Sequence, residues 1–368
     1  MAYGTPHYLP GILELFQEYD RHKTGVIGFA ELKEVLQGIG MTESMCMQLL
    51  SGIPCSEGGD FDYVLFLMRV FREEHTALRE EFIAKLRSMN PFNVCNFVRT
   101  EVPLTLHADS AFMLEAVRRR SETLEFATDE IKANRDIVLE AVRKAGKALK
   151  FATRNIKADH GVVLEAVKQH GCALEFAADE LKADCTIVLE AVKQNAFALK
   201  FAKDPARSDQ TVLLEAVNRD AFALKLATDN MRANHAINLE AVKLNGLALN
   251  FASDDMKSDT TIVFEAVKQS GWALSFAPDE MKANHKIVLE AVTQAGCALA
   301  FAANDRKDDH DIVLAAVKQN ALALQYASNS MKGDSTIVLE AFKKDARALE
   351  FASADLKALL EAWQDFHS

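Results

Sequence analysis

The sequence predicts an all-α fold: an α-solenoid of ten 25-residue helical repeats behind an N-terminal helical module. Three observations carry this. Leu139-Glu140-Ala141-Val142 recurs as Leu164-Glu165-Ala166-Val167 and Leu189-Glu190-Ala191-Val192, and its leading position runs from Leu114 to Leu339 in unbroken steps of 25 residues. A second anchor, Ala148-Leu149-x-Phe151-Ala152, keeps the same step to Ala348-Leu349-x-Phe351-Ala352. A third position is always Asp or Asn: Asp109, Asn134, Asp159, Asp184, Asp209, Asn234, Asp259, Asn284, Asp309 and Asp334.

Within a unit, the Asp or Asn reads as the cap of a first helix, its side-chain oxygen accepting from the free N–H groups of the helix start. In that helix Asp136, Glu140, Arg143 and Lys144 share one face, while Ile137, Val138, Leu139, Ala141 and Val142 cover the rest. So wide an apolar surface requires neighbours on two sides, and stacking supplies them. A second helix is expected from about Gly146 to Ala152, where Ala148 and Ala152 allow close approach and Leu149 and Phe151 fill the core. Thr128, Thr153, Thr228 and Ser253 then stand where a hydroxyl can cap a last helical turn such as 129–132.

The pattern D-x-x-I-V-L-E-A-V-K-x-x-G-x-A-L-x-F-A-x-x-x-x-K resembles the family called domain of unknown function 4116, over about residues 107–358. The resemblance implies a repeat architecture and brings no catalytic residues. Residues 359–368, with Leu359-Leu360-Glu361-Ala362-Trp363, leave the pattern and are expected to cap the stack.

Ahead of the repeats, residues 1–90 form a separate module, joined through a linker at 91–106 that opens at Asn90-Pro91. The run from Asp20 to Glu31, with Gly25 at the sharp turn and Ile27 at the small sheet contact, resembles a calmodulin-type EF-hand loop. Asp20, His22, Thr24, Val26 and Glu31 are the positions that would face an ion. His22 and Thr24 replace the usual oxygen-rich ligands, so weak calcium binding or none is expected. A second loop, ending near Asp60-Phe61-Asp62, has Pro54 first and Leu65 twelfth and is not a calcium site of the usual kind.

Composition narrows the function. A net charge of −11 argues against general nucleic-acid binding, which needs a basic footprint. No apolar run approaches the roughly 20 residues of a membrane span. The N-terminus lacks a charged-then-apolar secretory pattern, and the six cysteines form no C-x-x-C pair, so a cytoplasmic protein with reduced thiols is expected. His160, His235, His285 and His310 align in register and read as surface residues rather than zinc ligands.

Two ladders stand out. One position is basic in every unit, from Lys132 to Lys357, and another is acidic from Glu115 to Glu340 except at Ala315. They read either as a ridge for an acidic partner or as charges that complement helix dipoles and pair between units. The position before Ala-Leu-x-Phe-Ala is charged at the ends of the array, at Glu122, Lys147 and Arg347, but apolar at Phe197, Phe222, Leu247, Trp272 and Leu322. It reads either as a seal between units or as an exposed stripe that grips a partner helix.

No nucleophile–base pair, phosphate loop or H-E-x-x-H motif is present. The sequence therefore predicts a non-catalytic interaction scaffold, with no cofactor beyond weak calcium, that binds a protein or peptide helix along the solenoid through Phe197, Phe222, Leu247, Trp272 and Leu322. A calcium-responsive regulator is the second expectation and an unrecognised enzyme the third.

Overall fold

The computed structural model describes residues 15–16, 18–20, 26–38, 60–64 and 72–367, with backbone alone at 29, 38, 60–62, 72–74 and 361–367. His22, Thr24, Pro54 and Leu65 lie outside them. The chain divides into two compact units, Met1–Ala178 and Asp179–Ser368.

Each 25-residue repeat folds into three pieces. The repeat from Asn284 is representative: a ten-residue α-helix, His285–Gln294, a six-residue 3-10 helix, Gly296–Phe301, and a four-residue helical turn, Asn304–Lys307. The first helix starts as the sequence predicts. Asn284 sits in extended backbone and its Oδ1 accepts from Lys286 N at 3.1 Å and Ile287 N at 3.3 Å. The Asp or Asn does this in all ten repeats, among them Asp184 to Ile187 N at 3.1 Å and Asp334 to Thr336 N at 2.8 Å.

The second helix is a 3-10 helix rather than an α-helix. Six residues enclosed between extended Ala295 and Ala302 cannot form two α-turns, and the tighter coil keeps Ala298 and Leu299 both on the buried side. The expected threonine caps do not form. The hydroxyls of Thr128, Thr153 and Thr228 are buried without a partner, whereas Ser253 and Ser328 do cap, accepting from Met256 N and Met331 N. This position works mainly through its backbone. Thr153 N donates to Lys132 O at 3.2 Å, Ser328 N to Lys307 O at 2.9 Å and Ser353 N to Lys332 O at 2.9 Å, which ties each short turn to the one before it.

In the first unit, β1 (Val26–Gly28) pairs antiparallel with β2 (Asp60–Asp62), Ile27 opposite Phe61, and β1 leads into α1 (Phe29–Gly38). Farther on, α2 (Arg72–Ser88) packs against the first repeat helix, Ser110–Arg119. The segment expected to be a linker is helical. It holds α3 (Val94–Thr100) and α4 (Leu104–His107), with Val94, Phe97, Val98 and Leu106 buried. Its second half is a partial repeat: α4 takes the place of the turn Asp129–Lys132, and Thr128 N donates to His107 O at 3.2 Å just as Thr153 N does to Lys132 O. Its divergent letters hide this from sequence periodicity.

In the second unit, seven repeat helices from Cys185–Gln194 to Ser335–Lys344 stack in order, and their 3-10 helices stack beside them. Each 3-10 helix also packs against the long helix of the next repeat. The core is continuous: Ile262, Val263, Ala266, Val267 and Leu274 join Ile287, Val288, Ala291, Val292 and Leu299 in one buried cluster. The chain closes with helix Ala354–His367, which replaces the short turn, packs on the last 3-10 helix and buries Leu360.

One core position breaks the rule. Where other repeats place Val, Leu or Met, Asn238 is fully buried. Its amide donates to Arg232 O and Asn234 O, both at 2.8 Å, but its Oδ1 has no partner. Both carbonyls keep a backbone donor, Ser253 N and Asn238 N, if the amide is removed. Replacing a half-satisfied buried amide with an isosteric apolar group removes a desolvation cost of about 1–3 kcal/mol. Asn238→Val is therefore expected to raise stability by about 1 kcal/mol, read as a higher denaturant midpoint at unchanged slope; a lower midpoint would contradict this account.

Candidate apolar shelf on the 3-10 helices

The 3-10 helix turns its buried residues, such as Ala273 and Leu274, inward and leaves positions two and five on the other side. With three residues per turn these two positions eclipse one another. In the second unit, position two carries Phe197, Phe222, Leu247, Trp272, Cys297, Leu322 and, on the last rung, Arg347, and position five carries Lys200, Lys225, Asn250, Ser275, Ala300, Gln325 and Glu350. The result is a shelf of apolar side chains, charged at both ends of the unit and uncharged from Leu247 to Gln325.

Each rung leans on the next. The Phe222 and Phe251 rings meet edge-on at 5.8 Å, and Trp272 meets Phe301 edge-on at 6.0 Å. Lys225 Nζ lies 5.2 Å over the Phe197 ring. So the stripe does help to seal neighbouring repeats. It is not withdrawn from solvent: Phe197, Phe222, Leu247 and Leu322 are half-buried and Trp272 is 48% exposed. Trp272 stands out because Ser275, Cys297 and Ala300 around it are small. Burial pushes the Cys297 thiol up, which keeps it protonated rather than a thiolate.

The basic and acidic ladders pair locally, not with each other. Glu140 meets Arg118 and Glu165 meets Arg143, both at 3.7 Å, while Lys193, Lys268 and Lys343 pair with the glutamate three residues before them. The basic ladder is half-buried in every repeat, and Lys182, Arg232 and Lys257 pair with the aspartate three residues before them. Arg207 Nε donates to Leu226 O at 3.2 Å. His107, in the equivalent position of the partial repeat, places Nδ1 2.8 Å from Phe126 O and Nε2 3.0 Å from Val98 O. Burial lowers the His107 pKa, opposed by those carbonyls. Cations at the carbonyl end of a short helix have an ordinary structural use.

The aligned histidines are on the surface. His235, His285 and His310 each lie 3.6–4.0 Å from the capping carboxylate of the next repeat, Asp259, Asp309 or Asp334. Among the described residues, no group of three His, Cys, Asp or Glu side chains is placed to hold a metal ion, and no helix is long and apolar enough to cross a membrane.

Of the residues expected to face calcium, Asp20, Val26 and Glu31 are described. Asp20 is buried and its Oδ2 accepts from Tyr63 Oη at 3.2 Å. Glu31 Oε2 accepts from Gly28 N at 2.9 Å, a bond that caps α1. Val26 is exposed on β1. An open groove elsewhere, lined by Leu314, Lys318, Ser335, Thr336, Leu339 and Glu340, crosses the outer face of two repeat helices.

Comparison with known families adds one result. The family model for Domain of unknown function (DUF4116) matches residues 109–157, 159–205, 234–282, 259–307, 284–332 and 309–357. No curated protein and no solved structure matches the chain. Every match begins on a capping Asp or Asn, and five of the six end on the basic residue that closes the second repeat of a pair. Structural repeat and family unit thus share one register, and the chain belongs to the family described as Domain of unknown function (DUF4116).

Proposed function

We propose that this protein is a non-catalytic interaction scaffold that holds a protein partner on the shelf formed by Phe197, Phe222, Leu247, Trp272 and Leu322. The observation that carries the reading is the change along position two. The same geometric slot is charged at Lys147 and Arg347 and apolar in between, although the repeat core beneath it is constant. If sealing between repeats were its whole use, the 48% exposure of Trp272 would be an unneeded solubility cost. Half-buried aromatic side chains are the commonest anchors of protein interfaces.

The chemistry of the repeats points the same way. The aspartates and asparagines that open each repeat are engaged as helix caps, and the glutamates Glu140, Glu165, Glu190, Glu265 and Glu340 pair with nearby cations. The thiols of Cys95, Cys185 and Cys297 are all pushed up, chiefly by burial, and so are poor nucleophiles near neutrality.

We read the N-terminal segment as a degenerate EF-hand-like pair serving as a second contact. Its support is the β1–β2 ladder: Ile27 and Phe61, each eighth in a twelve-residue frame starting at Asp20 and Pro54, lie opposite one another. The described carboxylates of the first frame already have protein partners, Tyr63 for Asp20 and the start of α1 for Glu31. A calcium ion would have to displace both.

Two experiments test this. Affinity capture with the full chain should recover a partner set that is lost with Phe222→Glu/Trp272→Glu, whose far-UV circular dichroism should match the parent; an unchanged set argues against the shelf. Calorimetry with millimolar calcium should give no binding heat and no change in melting temperature; a saturable heat abolished by Glu31→Gln would instead establish the calcium-responsive reading.

A further inference from the structure

The shelf has an edge that specifies what occupies it. The 3-10 helix is followed, after two residues, by a short turn, and in the turns that begin at Asp229, Asp254, Asp279, Asn304 and Asn329 the first two residues are exposed. After Leu247 these are Asp254 and Asp255, and after Trp272 they are Asp279 and Glu280. Lys257 Nζ stays 4.0 Å from Asp254, and Lys257 and Lys282 are half-buried behind the edge. Among the described residues Asp255, Asp279 and Glu280 enter no ion pair. The next turn adds exposed Asp305.

Positions two and five from Leu247 to Gln325 hold no charge at all. Lys200 and Lys225 lie on earlier rungs, beside Phe197 and Phe222. The stretch around Trp272 is therefore an uncharged apolar shelf whose 3-10 helices at Leu247 and Trp272 are each followed, three residues on, by exposed carboxylates, of which Asp255, Asp279 and Glu280 enter no ion pair among the described residues.

We propose that this stretch docks a cationic amphipathic α-helix, its apolar seam on Leu247, Trp272 and Leu322 and its Lys or Arg flank on Asp254, Asp255, Asp279 and Glu280. The inference rests on the scaffold reading above and names the chemistry of its partner. Charge complementarity selects the flank, because opposite charges beside an apolar contact steer and orient association. Geometry selects a helix. A six-residue 3-10 helix rises about 12 Å at 2.0 Å per residue, close to the 10–12 Å diameter of an α-helix with its side chains. Packed helices repeat about every 8–10 Å, and seven residues of α-helix rise about 10.5 Å, so each rung meets one heptad of the seam with its a and d side chains. An extended segment would instead lay unpaired backbone groups on apolar side chains.

The test uses the full chain with Trp363→Phe, so that fluorescence reports Trp272 alone. Two designed 21-residue helices share one leucine seam and differ only in a flank of lysines or of glutamates. The lysine-flanked peptide should shift and saturate the Trp272 emission with at least tenfold lower Kd than the glutamate-flanked one. The difference should collapse in 1 M salt, and Asp254→Lys/Asp255→Lys/Asp279→Lys/Glu280→Lys should invert the preference. Equal or reversed preference in the parent, with both peptides lost on Phe222→Glu, would overturn the acidic-edge inference and leave the shelf standing. Binding of neither peptide would overturn the inference and count against the shelf itself.

Discussion

The close approach between one repeat's 3-10 helix and the next repeat's long helix governs the rest of the structure. At Gly246, Gly271 and Gly296 a Cβ would collide with the backbone carbonyl of Ala266, Ala291 or Ala316. At Gly271 it would also lie 2.9 Å from the Ala295 Cβ. Other repeats place Ala there, as at Ala196, Ala221 and Ala321. Only a small residue lets the two backbones meet, and their meeting is what buries Ala273 and Leu274 against Ile287 and Val288. No repeat completes its core alone, so the 25-residue step is kept without insertion through the array.

That constraint also explains where variation is allowed. Residues facing the neighbour keep their type, while positions two and five of the 3-10 helix touch the neighbour only along one side. Their identity can change from Lys147 to Trp272 without moving the backbone. A solenoid of this kind keeps its architecture in one set of positions and lets another vary, and the shelf around Trp272 is where that second set departs most from the other repeats.

Much of this was legible in the sequence. The period, the capping Asp and Asn, and the buried Ile, Val, Ala and Val of the long helix follow from short-range chemistry and helical spacing. The 3-10 character of the second helix was not legible, because six residues are too few to separate one helical period from another. The threonine hydroxyls misled because their position acts through its N–H, which Ala178 and Lys203 supply equally well, to Lys157 O and Lys182 O. Most of α4 falls in the expected linker, 91–106, because its partial repeat shares backbone register but few letters with the others. Asn238 could have been found by aligning the repeats, where it alone puts an amide among apolar side chains. Helical spacing puts the shelf residues at the border of the polar face, but it does not say how far each reaches into solvent. The acidic edge went unnoticed because Asp279 and Glu280 fit the ordinary preference of a helix start for negative charge.

The central claim is that stability passes from repeat to repeat through these close contacts. Hydrogen exchange measured along the full chain carrying Gly271→Val tests it most directly. Protection should fall in Gly271–Phe276 and in the facing helix His285–Gln294, and recover by Ser335–Lys344. Uniform loss of protection over the whole chain, or no change where the two backbones meet, would contradict it.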